Sequence, residues 1–211
     1  MGSVVLEKQT LTKLSEVRKA AASYLTQPVV RLLAKTPITP NTITWLGFLL
    51  AAGAAVLIVT GHLFAAGFIV LVAGFFDMLD GALARSTNQT SSFGAVLDST
   101  LDRLSEAVPL LGILVLYLYF GNQSTVVVLL VCLALIGSPL VSYIRARAEA
   151  LSLECQVGLF TRAERVIVLA LGLLLNQIDY ALIIALAIIV VFSFFTAGQR
   201  LIYVWQQTKI R

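Results

Sequence analysis

Charge is scarce in this sequence. Asp, Glu, Lys and Arg make up 12% of its 211 residues, about half of the roughly 25% expected of soluble domains. That excludes a chain solvated mainly by water, and the mean hydropathy of +0.94 points the same way. Cysteine is rarer still. Cys132 falls inside an apolar run and Cys155 in a polar stretch, which leaves neither a disulfide framework nor the spacing of a zinc site. No long apolar run begins before Thr42, so a secretory signal peptide is not expected. The net charge of +4 is spread between apolar runs rather than gathered on one basic face, which argues against nucleic acid as a partner. Solenoid repeats and low-complexity stretches are also lacking.

What is present is a series of apolar segments. They run approximately over 42–61, 63–83, 94–120, 124–148, 162–177 and 179–205. A hydrocarbon core of about 30 Å takes about 20 helical residues to cross, so the expected fold is all-α, an integral membrane bundle of six transmembrane helices. The fifth segment is the shortest. Pro109 and Pro139 sit inside the third and fourth, tolerable where neighbours satisfy the freed carbonyls.

Ahead of the spans, Leu11, Leu14, Val17, Ala21 and Leu25 recur at helical spacing with Lys13, Glu16 and Lys19 between them. That pattern predicts an amphipathic helix on the membrane surface, or a helix that packs against a second copy. Pro28, Pro37 and Pro40 punctuate the approach to the membrane. The whole chain, 1–211, then reads as one membrane domain, with 1–40 a cytoplasmic surface helix and linker and 41–205 the six-helix core.

Orientation follows from the loops. Gly61-His62, Gly121-Asn122-Gln123 and Asn176-Gln177 fall on one side and hold no Lys or Arg, whereas all 15 basic residues fall on the other. By the positive-inside rule the basic side is cytoplasmic, with both termini.

Four carboxylates stand where carboxylates are expensive. Asp77 and Asp80 end the second span, and Asp98 and Asp102 begin the third. Each costs on the order of 3 kcal/mol to place within a span, so each is a functional candidate. Spacings of three and four put each pair on one helix face, and the turn between the helices lets the faces meet. Four converging carboxylates need counter-charge, and hard divalent cations with oxygen ligands supply it, Mg²⁺ first. Two ions would neutralise four carboxylates and hold a diphosphate as well. A single acid at a span end would simply face water or pair with Arg85 or Arg103. A divalent-cation transporter would instead need acids near the midplane with access from both faces, and a purely structural scaffold leaves the cost unexplained.

The stretch from Asp77 to Asp102 resembles a known signature. Asp77, Asp80, Gly81, Ala84, Arg85, Gly94, Asp98 and Asp102 match every fixed position of the CDP-alcohol phosphotransferase motif D-x-x-D-G-x-x-A-R-x8-G-x3-D-x3-D, with every gap at the family length. The resemblance implies that Asp77, Asp80, Asp98 and Asp102 hold the metal, Mg²⁺ or Mn²⁺ and two ions. It implies that Asp102 is the general base for the acceptor hydroxyl, and that the active site is cytoplasmic. Gly81 and Ala84 would let a cytidine lie against the helix, Gly94 would allow close backbone approach, and Arg85 would pair with the donor diphosphate. Asn41 and Thr44 resemble the family's donor-side segment; the same stretch would equally serve as a helix N-cap at Asn41 or Thr42. A homodimer is also implied. Small residues such as Gly47, Gly53, Gly67 and Ala134 would pack helices within a protomer as readily as between two.

The acceptor is read from the arginines. Arg145, Arg165 and Arg200 fall on the cytoplasmic side near the ends of different spans and suit a phosphorylated alcohol. The stretches Ser142–Glu149 and Gly158–Arg165 resemble the family's inositol phosphate branch, with Ala163 where a proline is common. That branch makes phosphatidylinositol phosphate in some bacteria and archaetidylinositol phosphate in archaea. The implied reaction moves the lipid phosphoryl group of CDP-diacylglycerol, or of an ether analogue such as CDP-archaeol, to inositol-1-phosphate and releases CMP. Glycerol-3-phosphate is the alternative acceptor. That branch usually carries Asp-Pro-x-x-Asp-Lys where this chain has Asp98-Ser99-Thr100-Leu101-Asp102-Arg103.

Overall fold

The structure, a computed structural model, describes residues 23–120, 124–153, 155 and 157–209. Every regular element among them is helical. Helical residues 23–33 form the described part of α1. Then come α2 (Pro40–Val59), α3 (Leu63–Ser86), α4 (Ser92–Val115), α5 (Thr125–Ala150), α6 (Arg162–Leu174) and α7 (Ala181–Lys209). The last turns of α4 widen into a π-helical stretch, Leu116–Phe120.

The helices begin where the sequence supplies caps. The Thr39, Ser91 and Ser124 side chains accept from the backbone N–H groups of Thr42, Gly94 and Val127 at the starts of α2, α4 and α5, and Pro40 takes the first turn of α2, where its missing N–H costs nothing. Thr161 and Glu164 form a reciprocal capping box at the start of α6. Gly61 (φ 80°) reverses the chain after α2, and Asn88 (φ 54°) does so after α3, two residue types that tolerate the left-handed region.

Among the described residues, five helices are long and apolar enough to cross a membrane: α2, α3, α4 with its π-helical extension, α5 and α7. The fifth predicted segment behaves differently. It forms the 13-residue α6, which at about 1.5 Å per residue is about 20 Å long, short of the hydrocarbon thickness. Of the expected N-terminal surface helix, residues 1–22 lie outside the described residues. The described end carries exposed Tyr24, Leu25 and Leu32, while Val30 packs with Ile43, Leu79 and Leu83 at the ends of α2 and α3.

The bundle is held by close contact. α2 packs on α3 and α4, α5 packs on α7, and α6 sits against both α3 and α7. A Cβ at Gly112 would lie 3.0 Å from the Ala55 carbonyl, and one at Gly67 would lie 2.9 Å from the Ala170 carbonyl. Glycine therefore permits the α2–α4 and α3–α6 crossings. Lipid tails are as apolar as the side chains, so such packing, rather than water exclusion, associates the helices. Gly67 and Ala134 serve contacts inside the protomer, whereas Gly53 has nothing within 4 Å of its would-be Cβ. The outward faces carry Phe64, Phe68, Leu129, Ile184 and Phe195, all exposed, as a lipid-facing surface requires.

Candidate active site

The last turns of α3 meet the first turns of α4, and there the acids gather. Oxygen atoms of Asp77, Asp98 and Asp102 all lie within 4.8 Å of one another. Asp80 is 3% exposed; its Oδ1 accepts from the Gly81 N–H at 2.5 Å, and its Oδ2 is buried with no partner. Arg162, the first residue of α6, reaches this group: its Nη1 donates to Asp77 and stands 2.7 Å from Asp102 Oδ1. One guanidinium against four carboxylates leaves negative charge in excess. Converging carboxylate oxygens, a buried oxygen without a partner and no nitrogen or sulfur donor make a set suited to a hard divalent cation.

The acids form a wall between two cavities. The smaller, about 190 Å³, is lined by Asn41 and Thr44 of α2, by Asp80, Gly81, Ala84 and Arg85 of α3, and by Gly94 and Asp98 of α4. All the residues to which the resemblance assigned the CDP donor therefore line one space. The cap of α2 is Thr39, not Asn41 or Thr42, which leaves the Asn41 side chain to face Gly94, where a Cβ would lie 3.2 Å from Asn41 Oδ1. Arg85 folds back over Gly81, its Nη1 3.3 Å from where a Cβ would stand.

The larger cavity, about 680 Å³, takes Asp77 and Asp102 as one wall and Arg145, Arg162, Arg165 and Arg200 as others. The three arginines proposed from sequence converge on it but differ in freedom. Arg145 is half-exposed and pairs with Glu149 at 2.8 Å, one turn along α5. Arg200 is 4% exposed and donates through Nε to the Val157 carbonyl at 2.9 Å and through Nη1 to the Val141 carbonyl at 2.5 Å. Arg165 is 1% exposed, and Glu106 takes its Nε at 2.5 Å and its Nη2 at 2.9 Å. The Nε–Nη2 edge of the Arg165 guanidinium is thus committed inside the protein.

One residue was missed by sequence reasoning, and a second was read only as one of the cytoplasmic arginines. Glu106 continues the four-residue series Asp98, Asp102, Glu106 on one face of α4, a periodicity that could have revealed it. Arg162 carried no comparable signal, because α6 reaches α3 and α4 only through the tertiary fold.

A helical, membrane-type bundle with an acidic, metal-competent site dividing two cavities is the class that the fold and site define. The chain belongs to the CDP-alcohol phosphatidyltransferase family, whose sequence profile matches residues 37–197. It is 38% identical over 190 residues to the archaetidylinositol phosphate synthase of Methanothermobacter thermautotrophicus, covering 87% of this chain and 94% of that one. It is also similar to the Mycobacterium tuberculosis phosphatidylinositol phosphate synthase. The crystal structure of that enzyme with CDP-DAG bound matches with a TM-score of 0.77 and 35% identity, over 86% of this chain and 94% of the other. Its complex with manganese and citrate matches equally, with a TM-score of 0.77 and 35% identity, over 85% and 88%.

Proposed function

We propose that this enzyme transfers the lipid phosphoryl group of a CDP-activated lipid to inositol-1-phosphate and releases CMP. The observation that carries the reading is the acidic wall: the four signature aspartates separate a cavity lined by the donor residues from one lined by arginines. The relatives' names support an inositol phosphate acceptor, and the CDP-DAG complex supports the donor.

In this reading the donor lies along Asn41, Thr44, Gly81, Ala84 and Gly94, with Arg85 on its diphosphate. Asp77, Asp80, Asp98 and Asp102 would hold divalent metal, Mg²⁺ or Mn²⁺ and two ions. Bound there, the metal supplies positive charge to the diphosphate and to the developing charge on the transferring phosphoryl group. Arg200 and Arg145 hold the acceptor phosphate, with Arg165 lining the same cavity. Asp102 takes the proton of the acceptor hydroxyl as its oxygen bonds to the β-phosphorus. The bond from that phosphorus to the CMP oxygen breaks, and CMP carries the electron pair away. Attack is direct in this reading, since no Cys, Lys or Ser–His pair stands in the wall among the described residues.

The reading extends to the whole molecule. All 211 residues form one domain, α6 completes a six-helix core with local thinning or snorkelling to offset its length, and residues 1–40 form a surface helix and linker. The acidic wall and both termini face the cytoplasm on the positive-inside rule, and two copies associate as a homodimer.

The test is transfer by purified protein given CDP-diacylglycerol and Mg²⁺, with labelled inositol-1-phosphate or glycerol-3-phosphate offered separately and Asp102→Asn as the control. Labelled lipid and CMP from inositol phosphate alone, lost in the variant, is the expected result. Product from glycerol phosphate alone would overturn the acceptor. A CDP-archaeol arm separates ester from ether donors.

A further inference from the structure

Arg162 donates its Nη1 to Asp77 and stands in an ion pair with Asp102 Oδ1 at 2.7 Å, an oxygen that accepts no hydrogen bond, and its Nε is buried with no protein partner. A buried guanidinium N–H left unpaired is costly. Beside it lies a small cavity of about 20 Å³ between α2, α3, α4, α6 and α7, whose lining includes Ser105, Glu106, Pro109, Arg162 and Arg165. A water requires roughly 10–15 Å³ on this measure and two to four polar partners. Pro109 has no N–H, so it cannot satisfy the Ser105 carbonyl one turn earlier in α4. Residues of the lining thus offer Arg162 Nε as a donor without a partner, and the freed Ser105 carbonyl and the Glu106 carboxylate as acceptors.

We propose that Arg162 is a positioning residue for Asp102, held from behind by one water bound in the cavity beside Pro109. The guanidinium fixes one Asp102 oxygen and leaves the other for the acceptor's proton. The water satisfies Nε and ties Arg162 to α4, the helix that carries Asp102. With its Nη1 ion-paired to Asp77 and Asp102, Arg162 serves the acids, and Arg200 and Arg145 are left to the acceptor phosphate.

This rests on Asp102 as the base, and the experiment separates the two ideas. Arg162→Lys, Arg162→Met and Asp102→Asn are assayed together against both substrates. Misplacing a reacting group by about 1 Å costs about 100-fold, so kcat in Arg162→Met should fall by about that factor. KM for inositol phosphate and for the CDP-lipid should stay within about threefold, and Arg162→Lys should recover only part of the loss because it keeps charge without the fork. Removing Arg162 also leaves Asp77 and Asp102 opposed, so the metal-free protein should melt about 5 °C lower and recover when Mn²⁺ is added, which shows that the variant folds. Unchanged kcat, or a raised acceptor KM at unchanged kcat, would overturn the positioning role. An experimental structure fine enough to show waters, with no density within about 3.2 Å of Arg162 Nε, would overturn the water. Full activity in Asp102→Asn would sink the base reading instead.

Discussion

The two cavities on either side of the acidic wall are built differently. The smaller cavity comes from three consecutive helices, α2 to α4, and most of its lining falls within the short stretch from Asp80 to Asp98. The larger cavity draws on α3, α4, α5, α6 and α7, from Leu71 to Arg200. Local spacing shapes the first, and helix packing assembles the second. The first uses small residues that let a ligand approach backbone. The second uses long charged side chains whose value depends on what else they hold.

That contrast can be broken most forcefully at the shared wall. Asp80→Asn and Asp98→Asn, assayed for CMP release at saturating substrates, should each lose about 1,000-fold in kcat, the scale of losing a preorganised electrostatic contact in the transition state. Retention of near-normal rates in either would detach the wall from the chemistry.

The next effect lies on the acceptor side. Arg200→Met should raise KM for the phosphorylated acceptor by about 10- to 100-fold, the worth of a charge-assisted hydrogen bond. Arg145→Met should raise it no more than about fivefold, because its charge is already shared with Glu149 in water. Initial rates at varied acceptor and fixed donor measure both, and a reversed order would mean that the half-exposed arginine does the gripping.

Glu106 sharpens the comparison through stability. Glu106→Gln leaves Arg165, 1% exposed, without its ion partner and should cost about 3 kcal/mol. The double variant Glu106→Gln/Arg165→Met should regain much of that loss, read by thermal unfolding in detergent. A double variant no more stable than the single one would show that the pair is not acting as a unit.

The smallest effect belongs to the donor side. In Gly94→Ala the new methyl would stand 2.9 Å from Ser91 Oγ and 3.2 Å from Asn41 Oδ1. It would disturb the α4 cap, worth about 1 kcal/mol, and raise KM for the CDP-lipid several-fold while leaving KM for the acceptor unchanged. A shift in acceptor KM instead would erase the division into two sides.

These asymmetries mirror what could be read in advance. Asp77 and Asp80, three apart, and Asp98 and Asp102, four apart, share helix faces by periodicity alone, so their convergence was legible once a turn was placed between them. The apolar runs gave the spans to within a few residues at most ends, because a bilayer demands length and satisfied backbone. The alternative cap at Asn41 or Thr42 could not be settled from the stretch Thr39–Thr44, where several residues have capping chemistry; the fold gives that task to Thr39. Arg165 was legible as a charge near the membrane surface, but its commitment to Glu106, 59 residues earlier in the chain, was not.

The sequence by itself determined the membrane setting, the helical class, the acidic wall and the small residues beside it, because hydropathy, helical period and side-chain volume act over a few residues. Only the tertiary structure decided that α6 is short and carries Arg162 into the wall, that Arg145, Arg165 and Arg200 share one cavity with unequal freedom, and that a water-sized space lies beside Arg162 and Pro109. Those outcomes depend on which helix faces meet, and in a bilayer that choice is made by close packing of glycines and by the pairing of buried charges across the bundle.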